Sequence, residues 1–398
     1  MRKLSNVSEK FIEKGSSMKY LFISGMFRSG TTFLARMLNV HGKIACASDP
    51  MRPLFNSYRY DLASEEYRRT HGRFDPLDDY FMRDVPLLKK ILESDFENRI
   101  GTDSESLTQR VREAAMPYSG RWARSLESME GVALYSDMLR RYLDIVEESY
   151  GRGKETEYVA FKEVWCNEFA APFLNAFGDD SRVILMLRDP RAVTASNFAS
   201  GEKYPVLFLA RQWRKLAFVS ALLKERYPDS ILLLRYEDLV SQPEENIRRI
   251  CNFLDIPYDE NMLDITLYRD GDGRAWKKNT HYGNDGNPYR IDSSNIERWR
   301  VSLREDVVES LELVCADWME RFGYERVCDD GRIRELESIA RVEREEQAEW
   351  IRRFDFEGDE ENLVEETLVE KMRYFGAFEG MKEDELFRLQ IGGGSELR

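Results

Sequence analysis

The stretch Tyr20-Leu-Phe-Ile-Ser24, Gly25-Met-Phe-Arg-Ser-Gly-Thr-Thr32, Phe33-Leu-Ala-Arg-Met-Leu38 decides how the chain is read. Its first part is aromatic and β-branched and stops at a glycine, which predicts a strand. Its last part places Phe33, Leu34, Met37 and Leu38 on one face at helical spacing, which predicts a helix over 31–40 ended by His41-Gly42. Between them lies Gly-x-x-x-x-Gly-Thr-Thr. A strand, a glycine turn and a helix N-terminus bring backbone N–H groups to converge on an anion, and glycine lets the chain approach it closely. An ordinary glycine turn between a strand and a helix gives the same string, so the loop needs a second motif beside it.

The loop lacks one residue that nucleoside triphosphate sites use. After the second glycine they carry Lys and then Ser or Thr, with the lysine reaching the β- and γ-phosphates and the hydroxyl holding magnesium. Here Thr31 occupies the lysine position, Thr32 keeps the hydroxyl, and the cation sits inside the loop as Arg28. That pattern suits a shorter anion with its own leaving group, on which Arg28 neutralises developing charge. It speaks against a P-loop kinase or NTPase, the rival enzyme reading. A non-catalytic nucleotide-binding protein is the other alternative.

Working outward, further strands are predicted at 158–162, 182–187 and 230–235, the last two followed by helices at 192–199 and 243–254. Ser241, Pro243 and the two glutamates after it mark the start of the latter. Alternating strands and helices imply a parallel sheet covered on both faces. Residues 50–157 break the alternation. They are charged and helical in pattern, with helices expected near 61–70, 84–100, 104–116 and 132–149. A Gly/Asn-rich loop over 271–288 and an amphipathic helix over 307–322 follow. The expected fold class is therefore α/β: a P-loop-type three-layer fold with a central parallel sheet over 18–330. It carries a large helical insertion at 50–157, read as an acceptor-binding lid, and an acidic helical tail at 331–398.

The second motif is Arg188-Asp-Pro-Arg-Ala-Val-Thr-Ala-Ser196, at the carboxyl end of a predicted strand, where open α/β sheets bind ligands. Arg188 and Ser196 can converge there on a second anion. By themselves they read equally well as a surface Arg–Asp pair and a solvated serine. Together the two motifs ask for a ligand with two anionic ends.

At this point the sequence resembles the PAPS-dependent sulfotransferase superfamily. Residues 27–38 look like its 5′-phosphosulfate loop, in the Arg-Ser-Gly-Thr-Thr form of the Golgi-type and bacterial branches and close to carbohydrate sulfotransferases. Residues 188–196 look like its 3′-phosphate motif, 235–256 like the segment that follows, and Trp276–Thr280 with Arg298-Trp-Arg300, more loosely, like its C-terminal cofactor loop and helix. The resemblance covers 19–50 and 158–325. It implies that 3′-phosphoadenosine 5′-phosphosulfate (PAPS) is the co-substrate. Arg28, Ser29, Gly30, Thr31 and Thr32 would then hold its 5′ end, and Arg188 and Ser196 its 3′-phosphate. Tyr236 would lie beside the adenine, and Lys278 and Asn279 would add contacts. A tyrosine at a strand end is also ordinary packing, and Lys278 and Asn279 also read as a solvated loop. The acceptor would be a hydroxyl of a small molecule or glycan.

Transfer of this kind needs alignment, charge neutralisation and a base. No metal is required for it and none is expected. With only three histidines in the chain, a carboxylate base is expected. Asp49-Pro50, followed by Pro53-Leu-Phe55, resembles the Glu-Pro-Leu stretch of carbohydrate sulfotransferases, which points to Asp49. A turn-forming Asp before Pro is the other explanation, and Asp75, Asp78 and Asp79 are further candidates.

Composition bounds the partners. The net charge of −14 opposes a nucleic-acid partner. The tail from 331 holds 11 Lys/Arg and 19 Asp/Glu. No apolar run approaches a membrane span. Five scattered cysteines without a C-x-x-C pair, and an N-terminal stretch without an apolar region, lead to the expectation of a cytoplasmic protein with reduced thiols.

Overall fold

A computed structural model describes residues 18–75, 85–201, 204–276, 291, 293–341 and 360–376. Five parallel strands form one sheet in the order β2-β3-β1-β4-β5: β1 Lys19–Gly25, β2 Ile44–Ser48, β3 Tyr158–Lys162, β4 Ser181–Leu187 and β5 Ile231–Arg235. β1 is central, and its register aligns Ile23 with Lys162 of β3 and Gly25 with Met186 of β4. The strand residues alternate between two cores, as a period of two requires. Phe22, Val183 and Leu185 pack into one face, and Leu21, Ile23, Ile184 and Met186 into the other.

β2 is the strand that periodicity does not reveal. Ile-Ala-Cys-Ala-Ser has little β-branched or aromatic character, yet all five residues are buried. It pairs with β3 from Ile44–Tyr158 to Ser48–Lys162. Helix α1 runs over Thr31–Leu38, two residues shorter than expected. His41 lies past its end and anchors a loop: Lys43 N–H donates to Nδ1 at 3.1 Å, and Nε2 reaches the Pro257 carbonyl at 2.9 Å.

The insertion is helical but is divided differently from the sequence expectation. α2 (Arg52–Leu62) begins with Pro53 in its first turn, where a missing N–H costs nothing. The helix expected over 61–70 is the end of α2 plus α3 (Glu65–Thr70), separated by Ser64, whose side chain caps α3. α4 (Val85–Glu93) stops short of 100, because Phe96 turns at φ 62° and Arg99 bridges to Leu134. α5 (Ser104–Ala115), α6 (Gly120–Ser125) and α7 (Tyr135–Tyr150) complete it. Their apolar faces share the core of one sheet face, with Trp122, Tyr135, Tyr142 and Phe55 fully buried.

After β3 the chain forms α8 (Ala170–Phe177), and after β4 it forms α9 (Pro190–Ala199) and α10 (Val206–Arg226). β5 leads into α11 (Tyr236–Ser241) and α12 (Pro243–Leu254). α13 (Trp299–Ser302), α14 (Glu305–Arg321), α15 (Asp330–Glu335) and α16 (Glu360–Tyr374) follow. The described part of the tail docks. Glu370 of α16, fully buried, sits among Arg211, Arg214 and Arg373. No helix among the described residues is long and apolar enough to cross a membrane.

Candidate active site

At the carboxyl edge of the sheet, a cavity of about 760 Å³ opens between the loop after β1, the ends of the other strands, the insertion and the segment 270–276. Arg28, Gly30, Thr31, Thr32, Asp49, Arg188, Ser196 and Tyr236 all line it. Residues far apart in sequence thus converge on one space.

The loop is held by its own backbone and by Ser29. Ser29 N–H and Oγ both donate to the Met26 carbonyl, at 3.0 and 2.5 Å, and the side chain is fully buried. Ser29 therefore closes the turn rather than facing the cavity. Arg28 and Gly30 flank it with φ of 65° and 87°, a left-handed pair that turns successive amides to one side. α1 starts at once, with no side chain capping it, so the amides of its first turn are available to an anion. Gly30 has a packing reason as well: a Cβ there would lie 2.5 Å from Tyr236 Cδ2.

The second motif meets the first directly. Arg188, 5% exposed, donates to the Arg28 carbonyl at 2.7 Å and lies 4.3 Å from the Tyr236 ring centroid. Arg28 Nη2 approaches the Ser196 carbonyl at 3.5 Å. Arg188 Nε is buried and makes no hydrogen bond among the described residues. The other arginine of this motif is structural: Arg191 pairs with Asp189 and with Glu312, both at 2.6 Å, and lies 3.9 Å from the Trp299 ring centroid. Asp189 also caps α9 through the Arg191 amide. Phe33 and Trp276 contribute an apolar wall, 6.4 Å apart between centroids.

Asp49 stands just past β2, at φ 47°, a conformation that Asp tolerates better than most residues. Its amide continues the ladder to the Lys162 carbonyl at 2.7 Å, and Lys162 Nζ donates to Oδ2 at 2.5 Å. Oδ1 is buried without a hydrogen-bond partner among the described residues. Lys162 is 1% exposed, so the lysine is committed to this carboxylate. Sequence reading took Lys162 only as the last residue of a strand. A lysine ending a buried strand at the ligand-binding edge was the available signal. Glu163 follows it, buried, and accepts a hydrogen bond from the Met51 amide. Burial, and then the neighbouring Asp49, push its carboxyl up to about 8. Asp75 binds the Gly72 amide away from the cavity lining. Lys278, Asn279, Asp78 and Asp79 lie outside the described residues.

The model of the sulfotransferase family matches residues 21–260, well over half of the chain. The chain belongs to the sulfotransferase family. It is 26% identical over 207 residues to carbohydrate sulfotransferase 3 of Tetronarce californica, a match covering 44% of this chain and 43% of that one. It is 22% identical over 382 residues to carbohydrate sulfotransferase 1 of Danio rerio, covering 84% of each. Among solved structures it is similar to the sulfotransferase domain of the Synechococcus PCC 7002 olefin synthase, at 18% identity and a TM-score of 0.45, covering 78% of this chain and 97% of that one. The match to carbohydrate sulfotransferase 3 spans less than half of that protein's length, and PAPS is the donor that the sequence resemblance implies.

The residues present suit such a donor. The uncapped N-terminus of α1, Arg28, Arg188 and Ser196 all border one cavity. The buried, unpartnered Arg188 Nε is a donor in need of an acceptor.

Proposed function

We propose that this sulfotransferase moves the sulfuryl group of PAPS to a hydroxyl of a carbohydrate or small-molecule acceptor by in-line displacement, with Asp49 as general base. PAPS supplies an activated sulfuryl group on a phosphate leaving group. Arg28 and the first amides of α1 neutralise charge at the 5′ end, where preorganised donors act most strongly. Arg188 and Ser196 bind the 3′-phosphate and fix the register of the donor, and Tyr236 supports Arg188 through its ring face.

The observation that carries the reading is the arrangement at Asp49. One carboxylate oxygen accepts from Lys162, the other is a buried acceptor with no hydrogen-bond partner among the described residues, and the residue lines the cavity. A carboxylate on this wall is the group available to take a hydroxyl proton, and Lys162 keeps it turned in one orientation. The similarity to carbohydrate sulfotransferases favours a sugar hydroxyl as acceptor. The helical insertion, whose Pro117, Tyr118 and Gly120 line the cavity beside Asp49, supplies the acceptor wall.

The test is sulfuryl transfer from labelled PAPS to a panel of hydroxyl acceptors by wild type and Asp49→Asn. General-base loss lowers turnover by about 10²–10⁴-fold, with affinity for the desulfated product PAP unchanged. A variant with wild-type turnover removes Asp49 from the mechanism.

A further inference from the structure

Two helices hold the Arg188–Ser196 motif from behind, each through one buried side chain. From α10, Trp213 donates its indole N–H to the Arg188 carbonyl at 2.7 Å. From α14, Glu312 accepts from Arg191 at 2.6 Å and from the amides of Val327 and Cys328 at 3.0 and 2.8 Å. Tyr324, just past α14, joins the two. Its ring meets Trp213 edge-on, 6.1 Å between centroids, and its hydroxyl donates to Glu237 at 3.1 Å. Glu237 in turn accepts the Asp189 amide at 2.9 Å.

α16, in the acidic tail, grips the same two helices at the neighbouring residues. On either side of Trp213, Arg211 and Arg214 donate to Glu370 at 2.9 and 2.7 Å. Directly after Glu312, the Leu313 and Val314 carbonyls accept from Arg373 at 2.7 and 3.0 Å. Arg373 also pairs with Asp317 of α14 and with Glu370, both at 2.9 Å. The carboxylates that pair with Arg211 and Arg214, Glu366 and Glu370, both belong to α16. A buried cation left without its partner is strongly unfavourable, so α10 keeps its place against the motif only with α16 docked. The polar groups beside this contact do not substitute for it. Gln212, next to Trp213, and Asn197, next to Ser196, are fully buried, and both amide atoms of each lack a hydrogen-bond partner among the described residues.

We infer that α16 is a positioning element for the donor site: by fixing α10 and α14 it holds Arg188 and Ser196 in register for the 3′-phosphate, and loosening it weakens recognition of that end of the donor. The inference rests on the reading in which Arg188 and Ser196 bind the 3′-phosphate. The loop for the 5′ end is closed by Ser29 on the Met26 carbonyl, so the two ends of the donor respond differently to the tail. Coupling of this kind is reciprocal: a nucleotide bound through its 3′-phosphate steadies α16 in return.

The test titrates two probes into the full chain by calorimetry, PAP and adenosine 5′-monophosphate, which lacks the 3′-phosphate. The wild type prefers PAP. Glu370→Gln, measured at a temperature where circular dichroism shows it folded, loses tenfold or more of that preference while its affinity for the monophosphate stays within twofold of wild type. Trp213→Phe, which removes the hydrogen bond to Arg188, loses the preference in the same way. Should Glu370→Gln fail to fold, hydrogen exchange on the wild type decides: PAP slows the amides of α16 several-fold more than the monophosphate does at equal saturation. An unchanged preference in Glu370→Gln, an equal loss for both nucleotides, or α16 exchange that is the same with either nucleotide overturns the inference. A wild type that binds the two nucleotides equally counts against the 3′-phosphate reading of Arg188 and Ser196 itself, and the inference falls with it.

Discussion

Replacing Gly30 with alanine probes the joint between the two anion-binding motifs. At φ 87° an alanine is forced into the left-handed region, at about 1–2 kcal/mol. Its Cβ would also lie 2.5 Å from Tyr236 Cδ2 and 2.9 Å from Cε2, roughly 1 Å inside the usual carbon–carbon separation. The tyrosine ring cannot yield alone. Arg188 lies 4.3 Å from its centroid and is tied to the Arg28 carbonyl at 2.7 Å. Displacing the ring therefore shifts both arginines. Overpacking of this kind costs about 1–3 kcal/mol, which brings the total to about 2–5 kcal/mol, within the 5–15 kcal/mol of a typical folded domain. The expected protein is folded, less stable in urea, and at least tenfold weaker for PAP by calorimetry. Gly131→Ala is the control. It has φ 81° but nothing within 4 Å of the added methyl, so it bears only the conformational cost and keeps wild-type PAP affinity. Wild-type PAP affinity in Gly30→Ala would refute the coupling of Tyr236, Arg188 and the loop.

Two other groups give predictions about stability. Glu163, held protonated by burial and by Asp49 up to about pH 8 against an ordinary 4.5, retains its proton in the folded chain after the unfolded chain has lost it. Its contribution is thus present in full below the ordinary value and is lost as pH rises toward 8. Urea unfolding from pH 5 to 8 should show Glu163→Gln gaining stability relative to wild type as pH rises, and a difference independent of pH would contradict this. At Glu370, burial alone would raise the carboxyl, but Arg214, Arg211 and Arg373 outweigh it and hold the group below the usual carboxylate range. Glu370→Gln leaves buried arginines uncompensated and should cost about 3–5 kcal/mol. An unfolding midpoint unchanged from wild type would mean that α16 does not dock as described.

The sequence makes the centre of the sheet plain because the residues there satisfy two demands at once. Leu21–Ile23 and Val183–Leu187 are strongly apolar and also buried on both faces. β2 satisfies only the second. Its small residues fit under α1 and α7 but carry no strand signature, and Asp49 could be found only through the Asp-Pro resemblance. The pairing of Lys162 with Asp49 was hidden for a different reason. Its role depends on β2 and β3 being neighbours, a pairing between residues more than a hundred positions apart that no local pattern records. Ser29 shows the reverse: the motif put it in the site, and the turn uses both its donors internally.

The account rests on one cavity holding both anionic ends of the donor, and PAP binding tests that directly. Titration of PAP into wild type and Arg188→Ala in the presence of EDTA should give saturable binding by the wild type. The variant should lose about 10–100-fold in affinity, the worth of charge-assisted hydrogen bonds to a phosphate, while keeping its unfolding midpoint close to wild type. Unchanged PAP affinity in Arg188→Ala, or a wild type that prefers magnesium-ATP to PAP, would contradict it.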